Sequence, residues 1–149
     1  MIGFGQDDCG TIPTQQQIDY LNQTRNDRKN WNQSESILLL PIQNHVVRES
    51  DSTGGLTVVD ISFVMNMLNT YYINSNIQFY ECDSINYINN SNYYDFDAND
   101  ENTFCGPNDM QNVINIYYFN SVTSSSGSSL CGYAYFPPGP DRVIMKNSC

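Results

Sequence analysis

Apolar and polar positions along the chain follow two patterns, one typical of strands and one typical of a helix. Residues 36–49, SILLLPIQNHVVRE, are almost continuously apolar, as in a strand that is buried on both faces. After a turn, apolar side chains recur at helical spacing and share one face: Ile61, Met65, Leu68 and Tyr72. Thr57 and Asp60 match the cap pair of a helix start. We therefore predict a buried strand followed by a helix over Thr57–Tyr72.

Four further strand-like runs follow this helix. They cover residues 77–88, 113–122, 130–137 and 142–149. The short turn PGPD, residues 138–141, joins the last two runs, and only antiparallel neighbours can be connected so briefly. The order is thus β-α-β-β-β-β. It predicts an α/β fold with a twisted, mostly parallel five-stranded sheet and one backing helix.

Residues 1–35 form an N-terminal segment ahead of this domain, which we place at residues 36–149. Thr14 and Gln17 match a capping box, so we expect a helix over about residues 14–29. Its apolar positions are few, and it should therefore pack weakly. A basic cluster lies near its end and comprises Arg25, Arg28 and Lys29. The cluster fits either compensation of the helix dipole or a protease-accessible processing site.

Composition narrows the classes of function. A chain of 149 residues fits one domain, and a net charge of −10 with only six Lys and Arg argues against nucleic acid and anionic membranes as partners. No apolar run approaches the roughly 18 residues needed to span a bilayer. The five cysteines lie far apart without a CxxC motif, which favours an exported, oxidised protein over a zinc ribbon.

Two disulfides are predicted from the strand order. An antiparallel pair joined by a tight turn puts the start of one strand beside the end of the next, which places Cys131 beside Cys149. Cys82 with Cys105 is a second, weaker pairing. These two bridges leave Cys9 unpaired.

Metal chemistry has little support in the residues themselves. His45 is the sole histidine, so no multi-histidine site can form, and its place in an apolar strand indicates a buried, hydrogen-bonded structural role. Residues 95–101 resemble the start of an EF-hand loop, but Asp100 stands where glycine is needed and Gly106 where glutamate is needed. We expect a solvated acidic loop there, while a looser calcium site of oxygen ligands stays open.

Several stretches together resemble the N-terminal half of a pappalysin-family (M43-type) zinc metallopeptidase of the metzincin clan, in its secreted bacterial branch. They are CGT at residue 9, LLLPIQNHVV, LTVVDISFVMNMLNTYY, NVINIYYFNS and CGYAYFPPGPDRVIMKNSC. The last stretch is the most specific. The resemblance covers most of the chain and implies a secreted endopeptidase that acts on peptide or protein substrates.

The family's zinc-binding helix, HExxHxxGxxH, follows the fifth strand, and its sequence is absent here. No residue of this chain matches a zinc ligand or the catalytic glutamate, so we expect no metal binding and no peptidase activity from it alone. Zinc is expected in the full-length parent. In the family the fourth strand is the antiparallel edge of the sheet and aligns substrate by main-chain hydrogen bonds. That role falls to Gly132, Tyr133, Ala134, Tyr135 and Phe136.

The resemblance also gives Cys9 a candidate role. Related latent metallopeptidases can use a cysteine of the pro-segment as a switch, because a thiolate bound to zinc excludes the catalytic water. Residues 1–35 would then be a removable pro-segment. The alternative is a structural disulfide between Cys9 and the rest of the parent protein.

A rival class is a secreted binding or adhesion module without a catalytic half. Its support is the missing motif and a surface rich in Tyr, Asn and Ser. On either hypothesis, a sheet face without its covering helices would expose apolar surface. Self-association of the fragment therefore stays open.

Overall fold

The computed structural model describes residues 8–9, 14–27 and 37–149, and the elements below are those of these ranges. The strands are β1 (Asp8–Cys9), β2 (Leu38–Arg48), β3 (Ile77–Glu81), β4 (Asn86–Asn89), β5 (Asp95–Asp97), β6 (Ile114–Phe119), β7 (Ser121–Thr123), β8 (Leu130–Ala134) and β9 (Arg142–Lys146). The α-helices are α1 (Gln15–Asp27), α2 (Val58–Tyr72) and α3 (Glu101–Phe104). Short 3-10 turns cover Ile73–Ser75, Ser91–Tyr93, Ala98–Asp100 and Gly106–Asn108. No described helix is long and apolar enough to cross a membrane.

The main sheet has the strand order β1-β8-β9-β6-β2-β3, with β4 also paired to β2. All neighbouring strands pair in parallel except β8 and β9, which are antiparallel. The outermost strand β1 is parallel to β8, so these two strands run opposite to the rest of the sheet. Strands β5 and β7 form a small parallel sheet of their own. The predicted α/β fold, with a mostly parallel sheet and one antiparallel pair at its edge, is confirmed. The sheet has seven strands rather than the predicted five, because the run over residues 77–88 divides in two and β1 adds to the edge.

The strand predicted over residues 77–88 divides into β3 and β4, because a bulge separates them. Both pair with β2, and the register passes from Ile42 opposite Glu81 to His45 opposite Asn86. Two residues on β2 thus face four on the other strand. The extra residues leave the ladder and create a local concavity beside β2.

Helix α2 covers one face of the sheet. Its capping box is present, because Thr57 Oγ1 accepts from the Asp60 amide and the Asp60 carboxylate accepts from the Thr57 amide. Ile61 and Met65 are buried and pack against Ile42, Val46, Ile116 and Tyr118. Leu68 packs at the margin of this cluster, as the helical pattern predicts.

The opposite face carries an aromatic cluster that the sequence did not predict. Residues 89–112 resemble a polar loop, yet they contribute Phe96, Phe104 and Cys105 to the core. Phe96 stacks on Phe119 with ring centroids 4.0 Å apart. A few apolar residues, held by short turns, are enough to close this face of the sheet.

Burial of β2 on both faces holds only for residues 42–47. Leu38 and Leu39 are 55% and 58% exposed. Strand β6 begins at Ile114, opposite Ile42, so the first residues of β2 have a neighbouring strand on one side only.

The N-terminal helix forms close to its predicted range, and Thr14 and Gln17 make its capping box. Arg25 lies in α1, whereas Arg28 and Lys29 fall outside the described residues. Ile18 is 36% exposed, in keeping with the weak packing expected of this helix.

The Cys131–Cys149 disulfide is present, with the two Cα atoms 5.6 Å apart, and that prediction is confirmed. The second pairing is wrong, because Cys82 and Cys105 are both free thiols. Cys105 is fully buried in the aromatic cluster, whereas Cys82 is exposed beyond the end of β3. Burial raises the pKa of the Cys105 thiol well above its usual range.

Candidate functional site

The strand singled out by the sequence, β8, lies next to β9 near one edge of the sheet. Gly132, Tyr133 and Ala134 are opposite Met145, Ile144 and Val143, and Tyr135 and Phe136 follow the end of the strand. A Cβ on Gly132 would lie 2.4 Å from the Ile144 carbonyl oxygen. Glycine is therefore required for the close approach of the two backbones.

Tyr133 of this strand and Tyr135 just beyond its end bind one buried carboxylate. Tyr133 and Tyr135 are two residues apart and donate their hydroxyls to Glu101 Oε2, at 2.8 Å and 2.5 Å. Burial and the Glu101 carboxylate raise the pKa of both phenols, so both stay protonated and keep donating. The side chains of these two predicted substrate-binding residues therefore face the protein, and the strand is held to α3.

Glu101 belongs to a buried ionic cluster with Arg142 and Asp109. Arg142 Nη1 lies 2.5 Å from Glu101 Oε1, and Arg142 also donates from Nη2 and Nε to the two carboxylate oxygens of Asp109. Glu101 is 5% exposed and Arg142 is 6% exposed. Burial by itself would lower the pKa of Arg142, but the two carboxylates outweigh it and raise the pKa. Charges buried this deeply are tolerated because each is paired and hydrogen-bonded.

Tyr117 extends this cluster toward the middle of the sheet. Its hydroxyl lies 2.9 Å from Asp109 Oδ1 and 3.0 Å from the Cys105 carbonyl oxygen. Its ring stacks on His45 with centroids 4.2 Å apart. The chain of contacts thus runs from β8 through α3 and β9 to the centre of β2.

His45 is buried and bonded through both ring nitrogens, as the sequence predicts. Nε2 lies 3.0 Å from Asn115 Oδ1, and Nδ1 lies 3.0 Å from Asn86 Nδ2. The Asn115 oxygen also accepts from the Met110 amide, so Nε2 carries the proton and Nδ1 accepts. Burial lowers the pKa of His45, against an opposing effect of the Asn115 hydrogen bond. The ring is neutral and has no nitrogen left for a metal.

The acidic stretch is more ordered than predicted. Asp95 Oδ1 accepts from Asn120 and Ser121, and Asp97 Oδ1 accepts from the Asn99 amide. The prediction of a solvated loop is wrong for Glu101, which is buried with Arg142. Within the described ranges, no three His, Cys, Asp or Glu side chains form a group that could hold a metal.

An apolar groove of about 720 Å³ lies on the sheet face beside α2. Its floor is formed by Ile42, Ile114, Ile116, Tyr118, Val143 and Met145, and its wall includes Phe63, Met67 and Tyr71. Phe63 and Tyr71 are 66% and 74% exposed. The sequence contains a signal for this groove, because Phe63, Met67 and Tyr71 recur every four residues and give α2 a second apolar stripe.

The N-terminal segment contacts the same edge of the sheet as the candidate strand. The backbone of β1 pairs in parallel with β8, with Asp8 opposite Leu130 and Cys9 opposite Gly132. Further along, Gln17 Nε2 donates to the Phe136 carbonyl oxygen at 3.4 Å. Both ends of residues 130–136 are thus in contact with residues that precede β2.

No known protein-family model matches this chain, and no curated protein is significantly similar to it.

Proposed function

We propose that this chain is the N-terminal half of the catalytic domain of a secreted zinc-dependent endopeptidase of the pappalysin type. In this role it supplies the sheet scaffold and the edge strand that aligns a peptide substrate. The observation that carries the proposal is the apolar groove beside α2. A two-layer fold needs a second element to cover that face of the sheet.

The position of the last strand supports the same reading. Lys146, Asn147 and Cys149 line the groove, so a chain that continues beyond β9 enters it directly. A helix there would lie beside α2 and cover the bare floor. The family resemblance assigns that place to the helix that bears the zinc-binding motif.

Zinc does not fit the residues present in this chain. The ring of His45 has both nitrogens engaged, and the described residues contain no other suitable group. In the proposal, the metal and its water therefore belong to the part of the parent that follows Cys149. What this half contributes is binding and orientation of the substrate.

Recognition by β8 would rest on its main chain, since Tyr133 and Tyr135 are committed to Glu101. An extended peptide that adds to a sheet edge gains its affinity from backbone hydrogen bonds. The Glu101 contacts restrict the orientation of the strand. They therefore lower the conformational entropy that is lost when a peptide binds.

The N-terminal segment would then act as a pro-segment. The pairing of Asp8 and Cys9 with β8 supports this role, because it occupies the edge that substrate would use. In a full-length version, Cys9→Ala should give premature activity if the thiolate is a zinc switch. Unchanged latency together with a mapped Cys9 disulfide would instead support the structural alternative.

The experiment that tests the proposal begins with the codons downstream of Cys149. A reading frame that continues to HExxH supports the peptidase, and a stop codon favours a secreted binding or adhesion module. The extended protein should then bind one zinc per chain and cleave a denatured protein substrate. An extended protein with bound zinc and no hydrolysis of any peptide would overturn the proposal.

A further inference from the structure

Strand β3 forms an outer edge of the main sheet. In the strand order it has β2 on one side, and no strand of the described residues lies beyond it. Its sequence, IQFYE, is rich in strand-forming residues and contains neither Lys nor Pro. An edge of this kind readily adds an extended chain, so proteins close such edges with charges, prolines, bulges or a covering element. In this protein a side chain of α2 covers the middle of β3.

Asn69 of α2 binds both backbone groups of Phe79, the middle residue of β3. The Phe79 amide donates to Asn69 Oδ1 at 2.7 Å, and Asn69 Nδ2 donates to the Phe79 carbonyl oxygen at 3.0 Å. These partners fix the orientation of the carboxamide, because a backbone N–H can only donate and a carbonyl can only accept. Asn69 thus makes the pair of hydrogen bonds that a residue of a neighbouring strand would make.

The two backbone groups of Phe79 point away from β2. The Cys82 amide, three positions further along, donates to the Ile42 carbonyl oxygen of β2 at 2.8 Å. Successive residues of a strand direct their backbone groups to opposite sides, so residues three positions apart face opposite edges. Phe79 therefore presents its N–H and C=O to the outer edge, where Asn69 binds both.

A second copy of the chain fits this same edge. In an antiparallel pair of β3 strands centred on Phe79, the two Phe79 residues would exchange both N–H···O bonds. Gln78 would lie opposite Tyr80 and Ile77 opposite Glu81, so no like charges would face each other. Such a pair needs the backbone groups that Asn69 binds. The side chain and the second strand therefore exclude each other.

We propose that Asn69 is an edge cap, which closes β3 to the addition of a second copy of this chain. Ile61 and Met65 are buried against the sheet and hold α2 in place, so the core fixes the position of the cap. The inference is independent of the proposed peptidase role, because neither β8 nor a zinc site takes part in it.

The test compares Asn69→Ala with Asn66→Ala, both in a Phe63→Glu background. Phe63 is 66% exposed at the wall of the apolar groove, and a charge there suppresses association through that face. Asn66 is the matched control, because it is an exposed asparagine three residues earlier in α2. Alanine is a strong helix former, so neither change weakens the helix through its backbone.

Sedimentation velocity measures the outcome. We expect Asn69→Ala to dimerise with a dissociation constant about tenfold or more below that of Asn66→Ala, because two backbone groups become available to a second strand. In a mixture of differently labelled chains, intermolecular NOEs should then join the β3 strands of two copies. Equal association of the two variants, or intermolecular contacts at another surface only, would overturn the proposal.

Two further measurements apply if Asn69→Ala does not fold. Asn69→Ser should dimerise in the same way, because serine is too short to reach both groups of Phe79. In the native chain, the Phe79 amide should exchange its hydrogen more slowly than the amides of Ile77 and Glu81, which point to the same edge. A Phe79 amide that exchanges as fast as these two would show that the edge is not capped.

Discussion

His45 shows how one buried residue makes stability depend on pH. Its pKa in the folded chain is lowered from 6.5, chiefly by burial. The unfolded state therefore binds more protons as the pH falls through 6.5, and stability falls with it. We expect the free energy of unfolding to drop by up to about 1.4 kcal/mol per pH unit below that point. Urea denaturation between about pH 7.5 and 5.5 measures it, above the range in which carboxylates titrate.

The control for this prediction is His45→Gln, which can still meet Asn115 and Asn86 by hydrogen bonds. The variant should be less stable at every pH, and its stability should not change across the same window. A slope that persists in the variant would place the titrating group elsewhere.

At Gly132, the absence of a Cβ atom allows β8 to pack closely on β9. The Cβ of Gly132→Ala would lie 2.4 Å from a backbone oxygen of β9, which has no flexible end that can move away. We expect a loss of about 1–3 kcal/mol in unfolding free energy. Gly106→Ala is the matched control, because a Cβ there has no atom within 4 Å. Equal stability of the two variants would contradict the close packing of β8 on β9.

At the scale of elements, Glu101 connects helix α3 with strands β8 and β9. It lies in α3, accepts from two tyrosines at β8, and pairs with Arg142 of β9. Glu101→Gln keeps the shape but removes the charge that faces Arg142. We expect a loss of about 2–3 kcal/mol in unfolding free energy. The loss is smaller than for a buried charge left without any partner, because Asp109 still pairs with Arg142.

Asp100→Asn, at the exposed neighbouring position, is the control for that change and should be nearly neutral. A phenol titration followed by ultraviolet absorbance gives a second readout. Two tyrosines should ionise at lower pH in Glu101→Gln, because the carboxylate that helps to raise their pKa is gone.

The disulfide links β8 to the residues that follow β9, across a sequence separation of 18 residues. Closing a loop of that length limits the unfolded chain and should contribute about 3 kcal/mol. Peptide mapping without reduction should recover Cys131 joined to Cys149. The double change to serine should lower the unfolding free energy by about that amount, whereas Cys82→Ser, at an exposed free thiol, should change little.

Local signals account for what the sequence predicted well. The capping box of α2, the turn between β8 and β9, and the disulfide beside it all depend on residues close in the chain or on one short connection. The ionic cluster could not be predicted this way, because Arg142 and Glu101 are separated by 41 positions. Glu101 stands in an acidic, polar stretch, and nothing local distinguishes a buried glutamate there from a solvated one.

The split of β3 from β4 and the aromatic cluster were missed for a related reason. Register along β2 decides where residues 82–85 leave the ladder, and this depends on a partner strand about 40 residues away. Phe96 and Phe104 are isolated in polar sequence and show no period. Their burial follows from the free face of the sheet that they cover, which becomes visible only when the strands are assembled.

At the scale of the whole molecule, the uncovered apolar face should make this chain self-associate. The groove is bordered by Phe63 and Tyr71, both mostly exposed, and soluble monomers rarely leave a patch of this kind open. The net charge of −10 opposes association at long range. Raising the salt concentration should therefore strengthen association, because it screens this repulsion and leaves apolar contact intact.

Sedimentation velocity over a range of protein concentrations measures this, with the native chain compared with Phe63→Glu and Leu39→Glu. Both positions are exposed and apolar, but Phe63 lines the groove and Leu39 does not. Leu39 lies on the opposite face of β2 from Leu40 and Ile42, which line the groove. Phe63→Glu should shift the chain toward monomer, because a carboxylate at the wall of the groove would have to be desolvated in the associated state. Leu39→Glu should associate as the native chain does. If the two variants associate equally, association does not use this face. The groove would then not be a surface that another part of the protein has to cover.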